Sequence, residues 1–240
     1  MKFDYLNAGL FPAALTAFRA NLPLMICTAA LLLGFDILSY FVEFSTGSVL
    51  VSLFLNISVG FAIHRTILED HETTWSNLIG RQHRAYGGFL ARAAAFFAIF
   101  LLINVPVVMS AGLFNLQGPE VIGFAVIMLL LVGLPVFGLI LSLFGTLLPA
   151  TVLGDDNSIA AAKTRGQPRL RQTFGMMIFG PALFALLKFY ALFLPADIAT
   201  PEGVILPLGI LLTYAISFVM LFLPTLVAVV LCKAYLGSEK

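Results

Sequence analysis

Asp36 and Lys188 are the residues whose chemistry is hardest to reconcile with their surroundings. The acid sits inside LLLGFDILSYF and the base inside PALFALLKFYALF. An ionisable side chain in hydrocarbon costs about 3 kcal/mol on insertion scales and marks a functional site by default. Each lies about seven residues, or roughly 10 Å of helix, from the outer end of its apolar run. At similar depth the two can form an ion pair. Asn56 and Asn104 fall in the same outer half, so the four residues predict an intramembrane polar cluster, with Thr213 and Tyr214 able to join it. Such a cluster is either a sealed structural pair or an outward-facing cavity for a solute or a proton. A plainer reading has Lys188 snorkelling to the surface on its four-carbon stem and each asparagine bonding a neighbouring helix.

The elements that position these residues follow from composition. Of 240 residues, 60% are hydrophobic and 10% charged, with a mean hydropathy of +1.04. A soluble domain is roughly half apolar and about a quarter charged, so an ordinary soluble enzyme is excluded. Long apolar runs predict six transmembrane helices near 22–43, 48–67, 88–112, 121–152, 173–195 and 203–233, forming one transmembrane domain over residues 1–240. The fourth and sixth runs exceed what about 30 Å of hydrocarbon requires, and Pro135, Pro149, Pro207 and Pro224 are their expected bend points. The first twenty residues carry Asp4, Asn7, Pro12 and Arg19, unlike the apolar stretch of a secretory signal, so the segment is expected to be retained.

Orientation follows from the bases. Twelve of the thirteen Lys and Arg fall before span one, in or flanking the connections after spans two and four, or near the C-terminus, whereas the other connections carry Glu43, Glu120, Asp197 and Glu202. The positive-inside bias places both termini in the cytoplasm. The two basic loops and the N-terminal segment read as amphipathic surface helices: Trp75, Leu78, Ile79 and Tyr86 recur at helical spacing in the first loop, and Phe3, Leu6, Leu10, Ala14 and Ala17 form a stripe before Arg19. In the second loop, Asp156, Asn157 and Ser158 offer N-caps to a short helix expected to end near Gly166 and Pro168. Trp75, Arg81, Arg84, Lys163, Arg165, Arg169 and Arg171 are therefore the expected contacts to anionic lipid headgroups or to partner proteins.

Other chemistries find no motif. His64, His71 and His83 match no metal-ligand spacing and read as surface histidines. Cys27 and Cys232 read as buried apolar thiols rather than a disulfide. No phosphate-binding Gly-Lys loop, nucleophile elbow, His-Glu-x-x-His or Cys-x-x-Cys is present, so neither an enzyme nor a cofactor nor a metal is expected. The basic face is too small for nucleic acid.

A threefold unit of surface helix, span out and span back is weakly written in the residues. Thr66, Leu68, Asp70, Arg84 and Phe89 share their spacing with Thr151, Leu153, Asp155, Arg169 and Phe174, as do Ser142 and Pro149 with Ser217 and Pro224. Basic surface helices before outward spans, Pro149 near the exit of a span followed by Asp155 and Asp156, and a Lys/Arg-bearing helix leading into the next span together resemble the YciC-like bacterial inner-membrane proteins. The membrane domain attached to some glycerophosphodiester phosphodiesterases is similar. The resemblance covers most of the chain and implies a bacterial inner membrane and no catalytic residues; the phosphodiesterase activity is not carried over. The expectation is thus an all-α, six-span, non-enzymatic accessory, scaffold or membrane-homeostasis protein that engages partners or anionic lipids. The alternative is a carrier for a small solute or lipid that uses Asp36, Asn56, Asn104 and Lys188.

Overall fold

A computed structural model describes residues 8–42, 45–69, 84–110, 119–191, 198 and 206–238. Every element among them is helical: α1 (Leu10–Ala20), α2 (Leu22–Val42), α3 (Ser45–Glu69), α4 (Arg84–Met109), α5 (Pro119–Met128), α6 (Leu134–Phe144), α7 (Leu147–Leu153), α8 (Ile159–Gly166), α9 (Leu170–Met177), α10 (Leu183–Ala191), α11 (Pro207–Met220) and α12 (Phe222–Ser238). Six stretches are long and apolar enough to cross a membrane: Leu22–Ser39, Leu50–Glu69, Ala85–Pro106, Gly123–Leu153, Ile159–Leu187 and Pro207–Ser238. Helix is the form that lets such segments satisfy every backbone N–H and C=O without water.

The fifth stretch departs from the expected boundary, beginning at Ile159 rather than 173. Helix α8 ends at Gly166 as expected, but no loop follows it. The chain continues through a 3₁₀ turn, Gln167–Arg169, into α9, because proline at the second position of a turn needs no N–H donor.

The prolines also set the irregularities. A π turn at Leu129–Gly133 joins α5 to α6 just before Pro135, and another at Ile178–Ala182 contains Pro181 and joins α9 to α10. A ring that cannot donate and that crowds the preceding turn is accommodated by widening the helix by one residue. Breaks at Gly145–Thr146 and at Leu221 precede Pro149 and Pro224. Pro207, by contrast, opens α11 as its first residue instead of bending it.

Helix α12 packs along α3 and α1, while α2 packs against α11 and α3. Helix α1 runs antiparallel to α12: Lys233 Nζ donates to the Ala8 carbonyl at one end, and the Phe18 ring meets those of Phe218 and Phe222 edge-on at 5.3 and 5.7 Å at the other. Helix α8 likewise runs antiparallel to the end of span four, with Thr146 Oγ1 donating to the Ala162 carbonyl at 3.4 Å and Gly166 lying against the Ser142 and Leu143 carbonyls. Both helices thus extend alongside membrane-length helices, whereas the amphipathic pattern suggested segments lying apart on the surface. Small residues at Ala13, Ala14, Ala17, Ala162 and Gly166 permit the close approach.

The buried core lies at the end where the bases gather. It draws on Ala14, Met25, Val59, Ile63 and Val229 in one cluster and on Phe61, Phe89, Leu148 and Leu231 in another. Large apolar side chains on spans three to five, among them Leu102, Leu131 and Phe179, face outward.

Candidate functional site: polar residues of the spans and the basic end

The four intramembrane residues are placed on separate helices. Asp36 is half-buried on α2, and its backbone carbonyl accepts the Ser39 hydroxyl at 2.8 Å. Asn56 turns onto its own helix, its amide donating to the Ser52 carbonyl at 2.7 Å. Asn104 does the same to Phe100 at 2.7 Å, but it is buried, and its Oδ1 presses on Gly133 without a hydrogen-bond donor. That contact ties span three to the π turn of span four. Lys188 lies on α10, with its side chain outside the described residues. Asp36 forms no ion pair among the described residues. Thr213 and Tyr214 are half-buried on α11, which packs against α2.

The basic end is a closely bonded assembly. Asn21, in the turn between α1 and α2, and Thr66 exchange hydrogen bonds at 2.9 and 3.1 Å while both are buried. Arg65 pairs with Glu69 at 2.6 Å. After α7, Gly154 takes a left-handed conformation (φ 73°), which glycine adopts without steric cost. The chain then reaches Asp155, which accepts the Tyr235 hydroxyl, and Asp156, which accepts the Ser158 N–H at 2.9 Å. Ser158 in turn caps α8, accepting from the Ala161 N–H at 3.2 Å. The Arg165 guanidinium lies over the Tyr235 ring, 5.4 Å from its centre, and donates to the Asp156 carbonyl at 2.8 Å. Such a cation–π contact adds about 0.5–1 kcal/mol at a partly exposed site. The Arg169 guanidinium rests where a side chain at Gly237 would have to go.

Of the expected headgroup contacts, Lys163 and Arg171 are exposed, whereas Arg165 and Arg169 are half-buried and held by the fold. Trp75 and Arg81 lie outside the described residues. Arg84 opens α4, with its side chain outside them. Arg19 is exposed on the last turn of α1, next to Phe18 and its contacts with Phe218 and Phe222.

Hydrogen bonds to the Ser158 backbone and hydroxyl, with Arg165 nearby, hold the Asp156 carboxyl below the usual carboxylate range. A carboxyl whose folded value is depressed stabilises the fold above its unfolded value, about 3.9, and loses that contribution as pH falls through the lower folded value. Mild acidification below about pH 4 is therefore expected to fray the start of α8. Protection of the Ser158 and Ala161 amides against hydrogen exchange, taken relative to the intrinsic rate at each pH, should fall there in the native protein and stay constant with pH in Asp156→Asn.

Three residues stand elsewhere than the sequence placed them. His64 is buried: its Nδ1 bonds the Gly60 carbonyl at 2.7 Å and its ring meets Phe89 edge-on at 5.1 Å. Tyr86 faces the span-two helix, its hydroxyl 2.7 Å from that of Ser58 and its ring against Phe54 and Phe61. Cys232 is buried as expected, but Cys27 is exposed. Among the described residues no three His, Cys, Asp or Glu side chains converge as a metal site. The one sequence signal that pointed to the Asp155–Tyr235–Arg165 contact was the acidic pair at the exit of span four; nothing marked its partner on α12.

The chain matches no protein-family model, no curated protein and no solved structure.

Proposed function

We propose that this chain is a non-enzymatic accessory protein of a bacterial inner membrane, with both termini cytoplasmic, whose basic end binds anionic phospholipid headgroups. One observation supports this reading most: Lys163 and Arg171 are exposed beside an end where α12 is bonded to α1 through Lys233 and Ala8 and to α8 through Arg165 and Tyr235. A base held at the membrane surface gains about 1 kcal/mol against anionic lipid. Exposed Phe11, Leu15 and Ile159 on the same helices supply apolar contact at that level. The reading is in keeping with the resemblance to the YciC-like proteins.

A threefold design also fits. Thr66 and Thr151, at matching points, are both buried and both bond the carbonyl four residues back, at 3.1 and 2.6 Å. Spans four and six both break three or four residues ahead of their matched prolines.

The test is native mass spectrometry of the protein purified from vesicles of equimolar phosphatidylethanolamine and phosphatidylglycerol. Retained lipid should be mostly phosphatidylglycerol, and the preference should fade in the double variant Lys163→Gln, Arg171→Gln. At about 1 kcal/mol per base the loss is roughly 30-fold in relative affinity. Equal retention of both lipids by the native chain overturns the reading.

A further inference from the structure

Arg92 stands inside the third membrane-length stretch, Ala85–Pro106, about 12 Å of helix beyond Arg84. Helical side chains lean toward the preceding turn, and this one does so. Its Nη1 donates to the Gly88 carbonyl at 3.2 Å, one turn nearer the start of α4. The seat depends on glycine. A Cβ at Gly88 would stand 3.0 Å from that nitrogen and 3.4 Å from Thr151 Cγ2 on α7. The guanidinium is therefore laid, half-buried, against the surface of α4 at the edge where α4 meets α7.

Of the several N–H donors on a guanidinium, this contact uses one. Among the described residues no carboxylate pairs with Arg92 and no second acceptor meets it. A charged group in a membrane-length helix needs a partner of opposite sign, and a long side chain that leans toward the end of its span brings its head to the level of the lipid phosphates.

Beside it, the outward face of α4 is open and low. Gly87, Ala91, Ala94, Ala95 and Ala98 are all exposed and fall on one side of the helix, before Leu101 and Leu102 raise the surface. From Gly87 to Ala98 is about 16 Å of helix, the depth of one leaflet of a hydrocarbon core about 30 Å thick. An acyl chain can lie along this trough while its phosphate meets Arg92. A helix of a second copy could use the same small residues for close approach. In a two-fold contact within one membrane, however, that would bring two guanidinium groups to the same level and no acid with them. The base favours lipid as the occupant.

We infer that the α4 face from Gly87 to Ala98 holds a single phospholipid, its phosphate diester on the Arg92 guanidinium and one acyl chain along the alanines. The site shares only its ligand class with the headgroup surface proposed above. It lies on a different helix, and the double variant Lys163→Gln, Arg171→Gln should leave it intact, so either reading can fail without the other.

Photolabelling tests it. The protein is reconstituted in vesicles of equimolar phosphatidylethanolamine and phosphatidylglycerol with a trace of phosphatidylglycerol bearing a diazirine in one acyl chain. After irradiation and digestion, adducts are located by mass spectrometry. The peptide carrying Gly87–Ala98 should hold more adduct than the peptide carrying the exposed Phe179, which reports ordinary surrounding lipid. Arg92→Gln should lower the first about fivefold, the effect of losing one base near the membrane surface, without moving the second. Arg92→Lys should keep part of the labelling, and Ala95→Trp, which fills the trough, should lower it with Arg92 in place. Equal adduct on the two peptides overturns the site, as does labelling indifferent to Arg92→Gln. So does efficient disulfide formation between two chains of the double variant Cys27→Ser, Ala95→Cys, because a second copy would then cover the face.

Discussion

Gly166→Ala is expected to destabilise the purified protein by about 1–3 kcal/mol, the range for forcing extra atoms into a well-packed interior. A Cβ at this position would stand 2.7 Å from the Ser142 carbonyl oxygen and closer still to that of Leu143. Both obstacles are backbone, so no side chain can rotate away. The helices must separate, and with them go the Thr146 contact to Ala162 and the seating of Arg165 over Tyr235. Gly60→Ala is the matched control, because Gly60 is also a buried helical glycine but has nothing within 4 Å of an added Cβ. There the lower entropy cost of alanine in a helix should leave stability unchanged or raise it by up to ~1 kcal/mol. Thermal unfolding in one detergent reads both. Equal losses for the two variants would mean that close approach at Gly166 does not hold α8 to span four.

The long apolar runs were legible because hydropathy summed over about twenty residues is a strong signal. How the helices face one another was not, since a span that is apolar all round has no amphipathic stripe to show its inner side. Tyr86 illustrates the difficulty. Its spacing from Trp75, Leu78 and Ile79 fits an interfacial stripe, yet the phenol reaches Ser58 on the adjacent span, a pairing across 28 positions that no local pattern encodes. His64 was misplaced for a related reason: proximity to charged residues in sequence suggested a surface, whereas its ring packs on Phe89 and its Nδ1 bonds its own helix.

The candidate site was legible only as residue types. Asp36 stood out because charge in hydrocarbon is costly wherever it points. That it lies on the same stripe as Met25, Ala29 and Leu32 emerges only once burial along α2 is known. The surface helices show the converse. Their bases were visible, and Lys163 and Arg171 are indeed exposed, but Arg165 and Arg169 are engaged by α12, sixty or more residues away. A charge in a loop is read as solvated until a distant partner is known. The π turns follow the same logic, since proline marks a disturbance in a helix without saying whether it bends, widens or simply begins there.

Gly133→Ala should strongly destabilise the packing of span four, and Asn104→Ala should repair much of the loss. An added Cβ at Gly133 would meet the Asn104 side chain, with Cγ at 3.0 Å and Oδ1 nearer. The asparagine cannot readily swing aside, because it is buried and its amide is committed to the Phe100 carbonyl at 2.7 Å. Overpacking alone costs about 1–3 kcal/mol. Asn104→Ala by itself removes a buried acceptor that has no donor, so its cost is confined to lost packing and one intrahelical bond. In the double variant the two alanines face each other without conflict. The coupling energy should therefore be favourable and in the range of about 0.5–3 kcal/mol found for residues in contact. Denaturation of the four proteins in mixed detergent micelles supplies the cycle. Strict additivity would show that the amide and the π turn do not touch in the membrane, and the packing of span three on span four would then have to be redrawn around Phe100 and Phe137, whose rings lie 5.1 Å apart.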